Sequence, residues 1–146
     1  MLKYAKNLTL DVVGVHFHIG SNVTNAQAYR RAINDSRQVF DIGDRLGLRM
    51  TMLDIGGGFP GEVRLDELFC QDAIEISKDL DRFFPPSDTR YRDMKILSEP
   101  GRYYSASMFT LATRILGKRV ESNTERWLYL NDGLSQSFNA KVVSID

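Results

Sequence analysis

Three consecutive glycines, Gly56-Gly57-Gly58, and an arginine, Arg102, are the residues from which a chemistry can first be read. A glycine run lets the backbone approach a ligand closely and turns its N–H groups inward, which suits an anion. On its own the run serves equally well as a tight turn between a strand and a helix. Arg102 lies just past the next apolar strand-like segment, so in a parallel sheet it can stand beside the glycines. A fixed guanidinium next to free N–H groups makes a phosphate site; the alternative for Arg102 is a solvated surface position. Ser21, on the loop after an earlier strand, can donate to a phosphate or simply close its turn.

Glu99 stands three residues before Arg102. A carboxylate beside a phosphate site is electrostatically unfavourable unless a positive group shares the site. A protonated ring nitrogen is such a group, as in pyridoxal phosphate (PLP) enzymes, where an acidic partner keeps the pyridine protonated and electron-withdrawing. Otherwise Glu99 caps a turn or pairs with Arg102 itself. His16 and His18 are two apart in one strand-like run and are expected on the same side, with Val13, Val15 and Phe17 on the other. Such a pair can share a metal ion, or one ring can stack on a flat cofactor while its neighbour bonds locally, or both can be satisfied core residues. A metal site needs three or four ligands. The chain has two histidines and one cysteine, and Asp54 is the clearest further candidate, so no metal is assigned.

The elements that must position these groups follow from hydropathy. Leu10–Ile19 reads as a buried strand that breaks at Gly20-Ser21-Asn22. Thr24 followed by Gln27 is a capping-box pattern. Behind it Tyr29, Ala32, Ile33, Ser36, Val39 and Phe40 recur at helical spacing up to Leu46, with Gly47 as the stop. Met50–Ile55 is a second strand that runs into the triple glycine. A helix over Leu65–Phe83 follows, stopped by Pro85-Pro86, and Met94–Ser98 is a third strand. This alternation predicts a parallel sheet joined by crossover helices, with ligands at the C-terminal strand ends. After Tyr103 the rhythm becomes strand-like without helices: Phe109–Val120, Trp127–Leu130 and Phe138–Ile145 predict an antiparallel unit. The change of rhythm falls near residues 103–110.

Composition is that of an ordinary globular protein. Of 146 residues 42% are hydrophobic and 26% charged, and 19 basic side chains balance 19 acidic ones. That neutrality argues against nucleic acid or an anionic membrane as the main partner. No apolar run approaches the roughly 20 residues needed to span a bilayer. The first six residues show no apolar stretch behind their charges, so no secretory signal is expected. Cys70 cannot form an internal disulfide, which suits a reducing cytosol.

Three blocks now carry a resemblance. Asp11 to Ser21, Leu53-Asp54-Ile55-Gly56-Gly57-Gly58-Phe59-Pro60-Gly61 and Ser98-Glu99-Pro100-Gly101-Arg102-Tyr103-Tyr104 resemble the PLP-dependent ornithine decarboxylase family, of alanine-racemase-like fold. Val39-Phe40-Asp41-Ile42-Gly43 also resembles the family's helix at that place. The blocks occur in the family's order and cover nearly the whole chain. The resemblance implies that residues 1–104 are the last three βα units of a PLP-binding (β/α)8 TIM barrel, and that 105–146 begin the C-terminal antiparallel β-domain. It implies that His18 stacks on the PLP ring as the catalytic histidine. Ser21, Gly57, Gly58 and Arg102 would hold the phosphate, with Pro100 and Gly101 in the same binding turn, and Glu99 would hold the pyridine nitrogen.

The family's activity is decarboxylation of a basic amino acid, here expected to be ornithine to putrescine in polyamine biosynthesis, by a cytoplasmic homodimer. The family's Schiff-base lysine lies in a Tyr-Ala-Val-Lys-like motif, and its catalytic cysteine in a Gly-Pro-(Thr/Ser)-Cys-Asp motif from the partner subunit. Neither motif occurs here, and Cys70 is not that cysteine. The expectation is therefore a partial chain, inactive alone, cut from the middle of the enzyme. Where the family has Asn-Asp-Gly-Val-Tyr-Gly-Ser-Phe-Asn, this chain has Ser135 at the tyrosine; without a gap Val143 and Ser144 fall where the family reads its substrate with a Tyr-Asp pair, and only a shift would use Asp146. The alternative is a non-catalytic paralogue of the antizyme-inhibitor kind, which binds a regulatory protein. A barrel hydrolase using His16 and His18 with a metal is a more distant third.

Overall fold

Residues 1–21, 23, 25–61 and 65–138 are described by the computed structural model. The chain divides between Met108 and Phe109 into two units, four residues beyond the 104/105 boundary drawn from the sequence. The first unit contains α1 (Leu2–Asn7), β1 (Gly14–His16), α2 (Ala26–Arg45), β2 (Met52–Asp54), α3 (Asp66–Phe83), β3 (Lys95–Leu97) and α4 (Gly101–Ser105). Its strands form a parallel sheet in the order β1-β2-β3. Gly14, Met52 and Lys95 share one row, and His16, Asp54 and Leu97 share another two residues on.

The strands are shorter than their apolar runs. Leu10–Ile19 forms a regular strand only over Gly14–His16, with flanking bonds at its ends: Thr51 and Met52 N–H both donate to Val13 O, and Phe17 N–H donates to Asp54 O. Val13 is 48% exposed, whereas Val15 and Phe17 pack on the core as expected. The cap of α2 also differs. Asn25 is the N-cap and its side chain accepts from Gln27 N–H at 2.8 Å, so Gln27 lies one position too early for a capping box; Thr24 lies outside the described residues. The helices α1 and α4 were not anticipated, since neither is long enough to display a periodic stripe.

The core is assembled from three directions. Tyr29, Ile33 and Phe40 come from α2, Leu53 and Ile55 from β2 and its extension, and Ile76 from α3. Phe84 and Tyr91, beyond α3, meet Phe40 edge-on at centroid distances of 5.2 and 6.2 Å. Ser36 is buried in the α2 stripe with its hydroxyl donating back to Ala32 O at 2.8 Å, which satisfies it.

The inward face of α3 carries two carboxylates that hydropathy concealed. Asp79, with only 3% of its side chain exposed, accepts from Arg30 Nε through both oxygens at 2.9 and 3.0 Å. Asp72, buried, accepts from the N–H of Ala26, the first residue of α2. The two contacts join α3 to α2 by charge as well as packing. Among the described residues no helix is long and apolar enough to cross a membrane.

In the second unit β4 (Ile115–Val120) and β5 (Arg126–Leu130) pair antiparallel, with an irregularity between Ile115 and Gly117. Phe109 to Arg114, expected to begin this strand, stays outside the ladder. Phe138 closes a turn on Gly133, and the rest of the expected Phe138–Ile145 strand lies outside the described residues.

Arg30→Ala strands the buried Asp79 carboxylate and should lower stability by about 2–3 kcal/mol in urea unfolding, whereas Glu75→Ala, at the exposed end of the same network, should leave it nearly unchanged. Burial raises the Asp72 carboxyl above its ordinary 3.8, with the Ala26 N–H opposing. The folded chain therefore holds this proton to higher pH than the unfolded chain. Relative to Asp72→Asn, wild-type stability should fall as pH rises past the ordinary carboxyl value of 3.8; a difference that is flat or rises with pH would contradict this.

Candidate cofactor site

The backbone bonds continue past the strands and carry three loops to one rim. Ile55 N–H donates to Leu97 O at 2.9 Å, Glu99 N–H to Gly56 O at 2.7 Å, and Val23 N–H to Gly58 O at 3.0 Å. The turn that permits this needs φ of +63° at Gly56 and +111° at Gly58, which L side chains rarely adopt. Gly57 is glycine for a different reason: a Cβ there would lie 2.7 Å from Glu99 O and 3.1 Å from His18 Nε2.

Tyr29 supports the loop from below. Its hydroxyl donates to Gly57 O at 3.0 Å, and its ring stacks on Phe59 at 5.2 Å. Burial, with the Asp72 charge adding, raises the pKa of this hydroxyl far above its ordinary value, so it stays a donor. Hydropathy marked Tyr29 as core; only the fold reveals its hydrogen bond to the loop.

One cavity of about 200 Å³ lies at this rim. His18, Ser21, Gly57, Gly58, Glu99, Gly101 and Arg102 line it, together with Phe59. Pro100 does not. It is the N-cap of α4 and borders a separate apolar recess with Ile55, Phe59 and Phe69. Arg102 makes no ion pair among the described residues.

The two histidines part company. His18 Nδ1 accepts from Gly20 N–H at 3.0 Å, which assigns the proton of the neutral ring to Nε2, on the side of Gly57. His16 instead reaches Glu99, with Nε2 3.5 Å from Oε2. So Glu99 is paired with a histidine, and not with Arg102 as one reading of the sequence had it. Asp54 Oδ1 accepts from Gly56 N–H at 2.9 Å, and ligand atoms of His16, Asp54 and Glu99 lie within 4.8 Å of one another. The sequence had paired His16 with His18 and so missed Glu99 as a neighbour. Cys70 is exposed on α3.

A parallel α/β sheet with a glycine loop, an arginine and a carboxylate round one cavity at its strand ends has the architecture of a barrel cofactor domain. The particular family follows from comparison. Residues 1–106 match the family model described as "Pyridoxal-dependent decarboxylase, pyridoxal binding domain", and the chain belongs to this family. It is 42% identical to antizyme inhibitor 2 of Xenopus laevis, over 97% of this chain and 33% of that protein. It is 41% identical to ornithine decarboxylase of Cricetulus griseus, over 95% of this chain and 32% of the relative. The crystal structure of Paramecium bursaria Chlorella virus arginine decarboxylase bound to agmatine superposes with a TM-score of 0.81 at 32% identity, covering 97% of this chain and 36% of that one. The chain thus spans about a third of the length of the relatives it matches. Its cofactor is pyridoxal 5′-phosphate, and its first unit is part of a PLP-binding (β/α)8 barrel that leads into antiparallel β-structure.

Gly57→Ala should cost about 1–3 kcal/mol in urea unfolding, since backbone must move. Gly101→Ala, where a Cβ meets nothing within 4 Å, should stay within about 0.5 kcal/mol of wild type. Equal effects would mean that the glycine loop is not tightly packed.

Proposed function

We propose that this chain supplies the phosphate grip and the ring-nitrogen partner of a PLP-dependent decarboxylase acting on a basic amino acid, with ornithine converted to putrescine as the reaction. The observation that carries this reading is a single cavity bordered by a glycine backbone, a carboxylate and a guanidinium that has no ion-pair partner among the described residues. This donor set fits PLP, and the cradle at Gly57 is one that a Cβ would fill. Bound PLP supplies an electron sink for the pair released when the α-carboxylate leaves as CO₂.

Each residue then has a role. Arg102, the N–H groups of Gly57 and Gly58 and the Ser21 hydroxyl hold the phosphate, and Gly101 keeps the wall beside them bare. Glu99 holds the proton on the pyridine nitrogen, which keeps the ring electron-withdrawing. His18, its Nδ1 fixed by Gly20 N–H, presents its ring to the cofactor face. Pro100 acts only by shaping the turn that presents Gly101 and Arg102. The lysine that anchors the cofactor and the cysteine that completes the reaction come from outside these residues in the active assembly, a cytoplasmic homodimer. Residues 1–104 belong to the barrel and 105–146 begin the β-domain.

A second reading is favoured by Ser135, which stands in place of the family's tyrosine, and by the similarity to antizyme inhibitor 2: a non-catalytic relative that binds an antizyme-like regulatory protein. Retention of His18, Glu99 and Arg102 supports the enzyme. The two readings separate on purification of the protein with the sequence that flanks these residues at its locus. Bound PLP and CO₂ release from ornithine are expected; antizyme binding without either would favour the second. In that protein, Arg102→Ala should weaken PLP binding about tenfold or more in equilibrium dialysis while shifting stability by less than about 0.5 kcal/mol. Unchanged PLP affinity would refute the phosphate assignment.

A further inference from the structure

We propose that His16 is a positioning residue for Glu99, holding one oxygen of that carboxylate so that the other is presented to the cofactor's ring nitrogen. This rests on the reading of Glu99 as the ring-nitrogen partner. Glu99 belongs to the cavity wall and His16 does not, so the imidazole meets the carboxylate from outside the cavity. Its Nε2 lies 3.5 Å from Oε2, longer than a hydrogen bond and within reach of one when the site tightens round a ligand.

Strand pairing sets where the imidazole starts from. His16 is the last residue of β1, in register with Asp54, and the Asp54 carboxylate is tied to Gly56 N–H. Asp54 and Glu99 bring two negative groups into a cluster only 4.8 Å across. Left alone, they would repel and Glu99 would swing away from the glycine loop. A ring N–H close to both offsets that repulsion and gives Glu99 one orientation. A carboxylate with one oxygen held still has acceptor capacity for a pyridinium N–H.

The test uses the protein purified with the sequence that flanks these residues at its locus and PLP labelled with ¹⁵N in the ring, and it needs no turnover. His16→Phe should weaken PLP binding about fivefold, as expected for loss of one partly exposed charge-assisted contact, and move the ¹⁵N signal toward that of an unprotonated nitrogen. His16→Gln, which restores an N–H donor at similar reach, should recover most of both. If wild type binds PLP and His16→Phe leaves affinity and ¹⁵N signal unchanged, the positioning role is wrong and the PLP reading stands. If wild type fails to bind PLP at all, the PLP reading falls and this inference with it. Zinc binding that His16→Phe abolishes, with PLP binding untouched, would assign the three groups to a metal instead.

Discussion

The backbone of β2 is hydrogen-bonded on both sides, to β1 and to β3, in parallel and in register. Everything chemical in the first unit depends on that ladder. Because all three strands run the same way, their C-terminal ends arrive at one rim, and residues distant in sequence become neighbours. His16, Asp54 and Leu97 share a row, and two residues further on the bond from Glu99 to Gly56 locks the glycine turn against the loop that carries Arg102. A shift of one residue in either pairing would turn the alternating side chains to the opposite face.

The helices hold the rim as well as covering the sheet. Tyr29 lies in the core stripe of α2, yet its hydroxyl reaches the carbonyl of Gly57. Its neighbour Arg30 reaches across to Asp79 on α3, and Asp72 on α3 receives the first N–H of α2. The same few residues thus fix the helix pair and the turn beside the cavity. Buried carboxylates in such places are costly unless they are bonded, and both are bonded here.

The electrostatics of the cavity also follow from the rim. Arg102 brings positive charge to the cavity wall. Glu99 brings negative charge to the same wall, where an unprotonated pyridine would gain little and a pyridinium would gain much. Membership of the pyridoxal-dependent decarboxylase family gives this pairing of opposite charges in a cavity of about 200 Å³ a chemical meaning.

The element order, the antiparallel pair after the boundary, and the residue types that gather at the strand ends are legible in the amino-acid order alone. Those rest on local periodicity and on the chemistry of glycine, arginine and carboxylate, which a linear text contains. The blocks resembling a family added the cofactor. Only the tertiary structure decided that Pro100 leaves the cavity, that Glu99 faces His16 instead of Arg102, and that the two histidines have different neighbours. It also decided that two aspartates of α3 point inward. The contacts of Glu99 with His16 and of the two aspartates with α2 join residues some 40 to 80 positions apart in the chain. Such contacts are set by strand register and helix packing, and neither spacing nor composition encodes them.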